Sequence, residues 1–377
     1  MVESDGKGDP MATAMAKSGA ARKRGRIALV VVIVVLALLF VGSYFADRAI
    51  MNNMFERVPD DPYTTLLVYD DIAEDYDRVP LELQVDGYDV QAYIYGPENN
   101  DKGLVVFAHG IWSQHQDYLA LIMYLVDNGW KVLAYDNIGC GESEGDSTLS
   151  FAQSAVTLNA VLDYVEADAQ QPDSPFAGLP VVLFGHSWGG YAVTAVLNWD
   201  HDVKAVVSLS GFTSPFEVMV DGTVAAMGPI GYTQVPTLWL NSRQFCGENA
   251  SLSAVDGINR AGIPVMVVHG TGDEVIGYDT SAIIAHRSEI TNPHVEYVTV
   301  DAEGRNGHAS YFYTIESQAY GDSLAEQREA LEAEYDGNAP DSALQELAAT
   351  YDKRAANEAD PGLMSQVDDF FTRAIAG

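Results

Sequence analysis

Short apolar runs that alternate with amphipathic helical segments are the feature that most constrains how this chain can fold. After an opening hairpin pattern, apolar runs recur between residues 103 and 300. Runs that are apolar at every position indicate strands buried on both faces, and helices between them indicate parallel pairing. The sequence therefore predicts an α/β fold, with a mostly parallel sheet covered by helices on both faces. The predicted strands are 79–85, 89–95, 103–110, 130–136, 179–185, 203–209, 263–270 and 294–300, and the predicted helices are 116–128, 149–168, 188–199 and 279–290.

Two segments interrupt this alternation. Residues 212–257 lie between two predicted core strands and are rich in proline, methionine and aromatic residues, which predicts a small inserted cap over the active face. Residues 316–358 are acidic and rich in Ala, Leu and Glu, which predicts an exposed helical insertion. Pro361 opens a last amphipathic helix. We expect one domain over residues 79–377 that carries both insertions.

The N-terminal region predicts a membrane anchor. Residues 27–46 contain no charged side chain, and 20 helical residues cover the roughly 30 Å hydrocarbon core of a bilayer. A basic cluster at residues 22–26 precedes this run, which by the positive-inside rule keeps the N-terminus cytoplasmic. We therefore expect a disordered basic cytoplasmic tail over 1–26, a single-pass transmembrane helix over 27–46, and a stalk over 47–78 that leads to an extracytoplasmic domain.

A cleaved secretory signal is the alternative interpretation of this run. The apolar core of such a signal is usually about 7–15 residues long and ends in small residues. Here the run is longer, and only Gly42-Ser43 resembles a cleavage site. The length favours the anchor, and both interpretations place the main domain outside the cytoplasm.

The net charge excludes nucleic acid as a partner and narrows the range of expected substrates. The chain has 20 Lys+Arg against 54 Asp+Glu, a formal net charge of -34, whereas nucleic-acid binding requires a basic surface. Residues 1–46 carry +3, from six basic and three acidic residues, so residues 47–377 carry -37. A domain so acidic repels anionic ligands, and we expect it to prefer neutral or cationic substrates.

The segment 179–197 has the pattern of a strand, a tight G-x-S-x-G turn and a helix. Gly185 and Gly189 flank Ser187 and relieve crowding in the turn, so the serine hydroxyl projects from the sheet edge toward a helix N-terminus. This context predicts a nucleophilic serine. The alternative is an ordinary glycine-rich turn with a surface serine.

A serine hydroxyl is a poor nucleophile unless a base removes its proton. The expected chain order is serine, acid, histidine. Asp273 follows the strand 263–270 and is the predicted acid, with neighbouring Glu274 as the alternative. His308 lies in the loop after the last strand and is the predicted base, with Asp273 orienting its ring.

The tetrahedral intermediate of such a reaction needs two N–H donors for its oxyanion. The residue after the nucleophile, Trp188, and the loop residue Ile111 are the predicted donors. The sequence has no paired histidine spacing typical of a metal site, so we expect neither a metal nor a cofactor.

Taken in order, these motifs resemble those of the α/β-hydrolase fold superfamily, most closely its capped esterase, monoacylglycerol-lipase and serine-aminopeptidase-like branch. The resemblance covers about residues 79–315 and the terminal helix. It is carried by the segments HGIW (109–112), DNIGCGES (136–143), GHSWGG (185–190), GTGDEV (270–275) and NGHAS (306–310). One position departs from the pattern, since Ile138 stands where such chains usually have an arginine. That puts in doubt any structural ion pair made there.

The resemblance implies hydrolysis through an acyl-enzyme on Ser187, with His308 then activating water. We expect a membrane-anchored serine hydrolase that acts on carboxylic esters. The apolar residues of the cap favour a lipid-like ester. A peptidase or amidase of the same fold and a catalytically idle anchored binding protein are the alternatives. Cys140 and Cys246 are expected to be free thiols, although a bridge between cap and core is conceivable outside the cytoplasm.

Overall fold

The computed structural model describes residues 10–376, with side chains described from Lys23 onward. Helix α1 (Pro10–Met54) is the first element. The expectation of disorder is therefore wrong for residues 10–26, which are helical; several alanines there favour a helix. Residues 1–9 of the predicted tail lie outside the described residues. Within α1, the part from Lys23 to Met54 is long and apolar enough to cross a membrane, and none of its most apolar stretch is buried in the protein.

Eight strands form one sheet, in the order β1-β2-β4-β3-β5-β6-β7-β8. The β1–β2 hairpin is antiparallel, β2 pairs antiparallel with β4, and all the other pairs are parallel. The predicted fold class is thus confirmed. The strands are β1 (Arg78–Val85), β2 (Tyr88–Tyr95), β3 (Leu104–Ala108), β4 (Lys131–Tyr135), β5 (Val181–His186), β6 (Val203–Leu209), β7 (Val265–Gly270) and β8 (Val295–Val300).

Helices cover both faces of the sheet. Every residue of β3 and β4 is buried, as expected for strands with helices above and below. Alternate residues of β3 enter two separate apolar clusters, so Val106 packs on one face and Phe107 on the other. The remaining helices are α2 (Leu119–Asp127), α3 (Gln153–Asp168), α4 (Trp188–Ala195), α5 (Pro215–Met227), α6 (Val235–Cys246), α7 (Ala254–Ala261), α8 (Ile315–Glu334), α9 (Asp341–Ala348), α10 (Lys353–Ala356) and α11 (Pro361–Ala376).

Two of the predicted helices differ in the structure. The helix predicted over 279–290 is only a short 3-10 turn, Ile283–His286. The hydroxyls of Thr280 and Ser281 instead donate to Asp221 at 2.6 and 2.7 Å, and such side-chain bonds compete with helix formation. The helix predicted over 188–199 is α4, which ends at Ala195 and continues as a 3-10 turn.

The segment predicted to be a stalk packs into the domain. Helix α1 continues to Met54, and Met51, Phe55, Leu67 and Ile72 are all buried. The ring of Phe55 packs edge-on against Phe151. The stalk prediction is therefore wrong for these residues, because scattered apolar side chains in an otherwise charged segment are enough to hold it against the core.

The cap segment lies beside the end of α1. Helices α5 and α6 form most of it, and Ser214 caps α5 by accepting from the N–H of Glu217. Tyr44 and Arg48 of α1 both donate to the side chain of Gln244 on α6, at 2.5 and 2.6 Å. The cap is therefore fixed to α1 as well as to the sheet.

The acidic segment after β8 contains α8, α9 and α10. Thr314 caps α8 by accepting from the N–H of Ser317. Lys353 of α10 pairs with Asp71 at 3.2 Å, and Arg354 pairs with Asp75 at 2.5 Å. These pairs tie the acidic segment to the chain that follows α1.

Truncation of Phe55 tests whether the chain after α1 belongs to the core. Because Phe55 is only 1% exposed, we expect Phe55→Ala to lower the free energy of unfolding by about 3–5 kcal/mol. Chemical denaturation of the full chain in detergent, followed by tryptophan fluorescence, measures this. Val58→Ala, at a side chain that is 50% exposed, is the control and should change it by less than about 0.5 kcal/mol. Equal stability of the two variants would mean that the segment does hang free as a stalk.

Candidate active site

Ser187 lies on the tight turn between β5 and α4. Its backbone has φ 56° and ψ -113°, a conformation that a residue with a side chain adopts only when its surroundings hold it there. A Cβ added at Gly189 would lie 1.9 Å from the carbonyl oxygen of Ala108, and one at Gly185 would lie 2.4 Å from the carbonyl oxygen of Gly189. Both positions therefore require glycine. Ser187 itself is 6% exposed.

Asp273 and His308 are brought together by the loops after β7 and β8. The Nδ1 atom of His308 lies 2.8 Å from Asp273 Oδ2. The other carboxylate oxygen, Oδ1, accepts from the N–H groups of Val275 and Ile276 at 2.9 and 2.8 Å. These backbone donors fix the carboxylate, which in turn orients the imidazole ring.

A second histidine, His269 of β7, also holds Asp273. Its Nε2 lies 3.0 Å from Asp273 Oδ2 and 3.0 Å from the carbonyl oxygen of Ile276. Both neighbours are acceptors, so Nε2 carries the proton. Burial alone would raise the pKa of Asp273, but hydrogen bonds from His269 and His308 outweigh it and hold that pKa well below its usual range. The carboxylate is therefore ionised at neutral pH.

The elbow and the histidine loop touch through His186. Its ring centroid lies 4.7 Å from that of His308, and its Nε2 lies 3.2 Å from the backbone carbonyl oxygen of His308. Burial, followed by the neighbouring His308, lowers the pKa of His186 well below its usual value, so this ring is neutral. Among residues 23–376, no hydrogen bond joins the Ser187 hydroxyl to His308; in free hydrolases this bond is often long and tightens only when substrate binds.

The two predicted oxyanion donors are Trp188, the first residue of α4, and Ile111, in the loop after β3. In the part of the chain with described side chains, no acceptor is bonded to the N–H of Trp188 or of Ile111. The loop of Ile111 is held by His109, whose Nε2 accepts from the N–H of Asn137 at 2.8 Å. Gly110 precedes Ile111 and donates to the Tyr118 hydroxyl at 3.1 Å. Two N–H donors are thus left without protein partners beside the turn of Ser187.

The loop after β4 is centred on the buried carboxylate of Asp136. It accepts from the backbone N–H of His115 at 2.8 Å and from that of Glu142 at 3.0 Å. Burial opposes ionisation, but the contact with the His115 ring lowers the pKa of Asp136 to about 2. His115 is itself fully buried, so it does not line the site.

A guanidinium does reach this loop, although Ile138 stands where the sequence pattern has an arginine. It belongs to Arg57, which follows α1 and donates to the carbonyl oxygens of Gly141, Ser143 and Gly145, the last two at 2.8 and 3.1 Å. Sequence reasoning missed Arg57, because it lies more than 80 residues from its partners in a segment without periodicity.

The two cysteines and one group of possible metal-ligating side chains remain to be placed relative to the candidate active site. Cys140 and Cys246 are both free and buried, and burial raises the pKa of Cys140 to about 12. Among the described side chains, Asp163, Glu166 and His201 have donor atoms within 4.8 Å of one another. His201 bonds to Glu166 and Asn159 on α3, and among the described side chains none of the three bonds to Ser187, Asp273 or His308.

Comparison with known proteins supports the same fold. The family described as serine aminopeptidase, S33, matches residues 99–256. Monoglyceride lipase of Homo sapiens is 33% identical over 115 residues, which are 30% of this chain and 36% of that protein. Proline iminopeptidase of Saccharolobus solfataricus is 29% identical over 134 residues, 35% of this chain and 41% of that protein. The chain spans less than half the length of these curated relatives.

A solved esterase of Pyrococcus furiosus superposes with a TM-score of 0.50 at 17% identity, covering 72% of this chain and 97% of that one, a likeness in fold alone. The sheet order and these matches together show that the chain has the α/β-hydrolase fold. The family match includes Ile111 and Ser187 and ends before Asp273 and His308.

Removal of the Arg57 guanidinium should loosen the loop after β4. A hydrogen bond from a charged group contributes up to about 1.5–3 kcal/mol when it is buried. Because Arg57 is only partly buried and its three bonds share one guanidinium, we expect Arg57→Ala to lower the unfolding free energy by about 2–4 kcal/mol in all. Arg57→Lys should recover only part of it, because an ammonium group lacks the planar fork that reaches several carbonyl groups. Denaturation and amide hydrogen exchange over residues 139–147 measure both effects.

The control for Arg57 is Arg260→Ala. Arg260 pairs with Asp200 at the surface, with 48% of its side chain exposed, and its loss should change stability by less than about 1 kcal/mol. Unchanged exchange in the 139–147 loop of Arg57→Ala would show that the guanidinium does not hold it.

Proposed function

We propose that this chain is a membrane-anchored extracytoplasmic serine hydrolase that cleaves carboxylic esters. The observation that carries the proposal is the Asp273–His308 pair, 2.8 Å apart, beside a strained serine elbow. Ser187 is the nucleophile, His308 the general base and Asp273 the orienting acid. The match to a monoglyceride lipase favours an ester of lipid-like character.

The first half of the reaction transfers the acyl group to the protein. His308 Nε2 takes the proton from Ser187 Oγ as that oxygen attacks the ester carbonyl carbon. The carbonyl oxygen becomes an oxyanion that the N–H groups of Ile111 and Trp188 stabilise, each worth about 3 kcal/mol of barrier. His308 then gives its proton to the leaving alkoxide, and the acyl group remains on Ser187.

The second half releases the acid. His308 removes a proton from water, which attacks the acyl-enzyme through the same oxyanion site, and the proton returns to Ser187. In both halves His308 becomes a cation. Asp273 stabilises that cation because its own pKa is held well below the usual range and it stays ionised. His269 keeps Asp273 in place without touching the substrate.

A peptidase or amidase is the second candidate. The matches to the serine aminopeptidase family and to a proline iminopeptidase favour it, since the same residues can attack an amide carbonyl. The difference lies in the leaving group, because an amine must be protonated before it departs. Ester and amide substrates with the same acyl group therefore separate the two.

The anchor proposal rests on α1. Its apolar stretch is fully exposed, as a lipid-facing helix would be, and the basic cluster at residues 22–26 favours a cytoplasmic N-terminus. Tyr44 and Arg48 bond to the cap, so the helix that contains the apolar stretch also packs directly against the domain. A cleaved signal sequence remains the alternative, and the mass of the mature protein distinguishes the two.

Ser187→Ala tests the serine mechanism. With the full chain in detergent, we expect kcat on a p-nitrophenyl ester to fall by at least about 10⁴-fold, because the nucleophile is lost while the fold is kept. Labelling by a fluorophosphonate probe should disappear as well. Ser281→Ala is the control, because it removes another buried serine hydroxyl, one that donates to Asp221. This variant should keep both the esterase turnover and the labelling.

Substrate pairs complete this test. Turnover of the ester but not of the matched aminoacyl anilide supports the esterase, and the reverse supports the peptidase. Faster turnover of an acidic ester than of a neutral one of equal length would contradict the preference expected from the -37 charge. An unlabelled, inactive wild-type protein would favour the idle binding protein.

A further inference from the structure

The cap is joined to the outer end of the apolar helix. Asp47, the first residue after the apolar run 27–46, accepts from the Thr237 hydroxyl of α6 at 2.5 Å. The backbone carbonyl oxygen of Tyr44 accepts from Asn241, one turn further along α6, at 3.2 Å. Helix α6 therefore lies beside the last turn of the apolar run.

This contact fixes the height of the cap, given the anchor of the proposed function. Twenty helical residues span about 30 Å, so Ala46 lies at the outer boundary of the hydrocarbon core. Helix α6 then lies at the level of the lipid headgroups. Each further residue of α1 rises about 1.5 Å, so Met54 is only about 12 Å above that boundary.

The candidate site is close to the same height. The indole N–H of Trp112 donates to the carbonyl oxygen of Met54 at 2.7 Å. Trp112 directly follows Ile111, the proposed oxyanion donor. The loop that would bind the oxyanion is thus bonded to the juxtamembrane end of α1.

Part of the cap differs in charge from the domain as a whole. Residues 222–247 contain no Asp or Glu and a single charged residue, Arg243, whereas residues 47–377 as a whole carry -37. An acidic surface at the headgroup level would be repelled by anionic lipids, and this segment lacks that repulsion. The lack of Asp and Glu in this segment agrees with a position at the level of the lipid headgroups, which the contacts of α6 with α1 also indicate.

Apolar side chains on the same segment are exposed. The cap patch consists of Met227, Ile230, Tyr232, Trp239 and Arg243, and its apolar members are 47%, 63%, 61% and 49% exposed, in that order. The guanidinium of Arg243 lies 5.5 Å from the ring centroid of Trp239. Tyrosine, tryptophan and arginine are typical of membrane–water interfaces, where an apolar body and a polar tip both find partners.

We propose that the cap patch rests in the outer headgroup region of the same bilayer that holds α1, and that the hydrolase takes its ester substrate from that bilayer. The proposal rests on the proposed function for the anchor and for the reaction. The occupant of the patch is lipid. A second copy of the chain or another protein on the patch is an outcome that the test below distinguishes.

Lipid-borne quenching tests where the patch lies. Cysteines introduced as Ile230→Cys and Ile315→Cys are labelled with an environment-sensitive fluorophore in the full chain, reconstituted in phosphatidylcholine vesicles. Both isoleucines are equally exposed, at 63% and 64%, but Ile315 opens the acidic helix α8. The native thiols are buried, and the wild-type chain gives the labelling background. Acyl-chain nitroxide lipids should quench position 230 severalfold more than position 315.

Equal quenching at the two positions overturns the proposal. So does protection of position 230 that appears only at high protein-to-lipid ratio, because then a second copy covers the patch.

Activity separates this proposal from the function on which it rests. Ile230→Glu with Tyr232→Glu adds two charges to the patch and should lower, severalfold, the turnover of an ester dissolved in the vesicles. Turnover of a short water-soluble ester should stay unchanged, and Ile315→Glu should change neither. Equal loss on both esters contradicts the proposal. If the wild-type chain cleaves neither ester, the proposed function fails, while the quenching experiment still decides where the cap lies.

Discussion

The close approach of the serine turn to the sheet is the constraint on which the site depends. The Ala108 carbonyl oxygen lies where a Cβ of residue 189 would be, so only glycine lets α4 start directly against the end of β3. That approach forces Ser187 into positive φ and leaves its hydroxyl at the carboxyl edge of the sheet. It also brings the N–H of Trp188 near the loop of Ile111. The loops after β7 and β8 begin at this same edge of the sheet. The strand order therefore brings Asp273 and His308 together.

Hydrogen bonding keeps the essential carboxylates charged inside a very acidic protein. In a chain of net charge -34, each buried carboxylate experiences both desolvation and long-range repulsion. Asp273 and Asp136 nevertheless have lowered pKa values, because histidine rings beside them, and then backbone N–H groups, stabilise both carboxylates. The two networks are built alike, although one faces the serine and the other supports the loop after β4. Local donors, rather than the overall field, therefore set the charge of the site.

The sequence predicted the parts of this architecture that arise from local patterns. Continuous apolar runs identified the buried strands, and the tight turn around Ser187 followed from its glycines. The chain order of Asp273 and His308 placed them at the ends of neighbouring strands, and the structure brings them within 2.8 Å. Segments without periodicity were predicted poorly. The 279–290 segment has helix-like composition, yet Thr280 and Ser281 bond to Asp221, a residue of the distant cap. Arg57 acts across 84 residues on Gly141, and no pattern in its own neighbourhood indicates that partner.

The chain after α1 links the proposed anchor to the candidate active site. Phe55 is buried in the main core, Arg57 holds the loop after β4, and the Met54 carbonyl oxygen receives the indole N–H of Trp112. A flexible stalk would let the domain rotate freely above a bilayer, and its acidic surface would then favour orientations that turn the site away. A continuous helix with these contacts permits no such rotation. The part of the cap that is free of acidic residues, 222–247, is also bonded to the end of the apolar run. In the proposed arrangement, the orientation on the membrane is set by packing and hydrogen bonds at the outer end of α1.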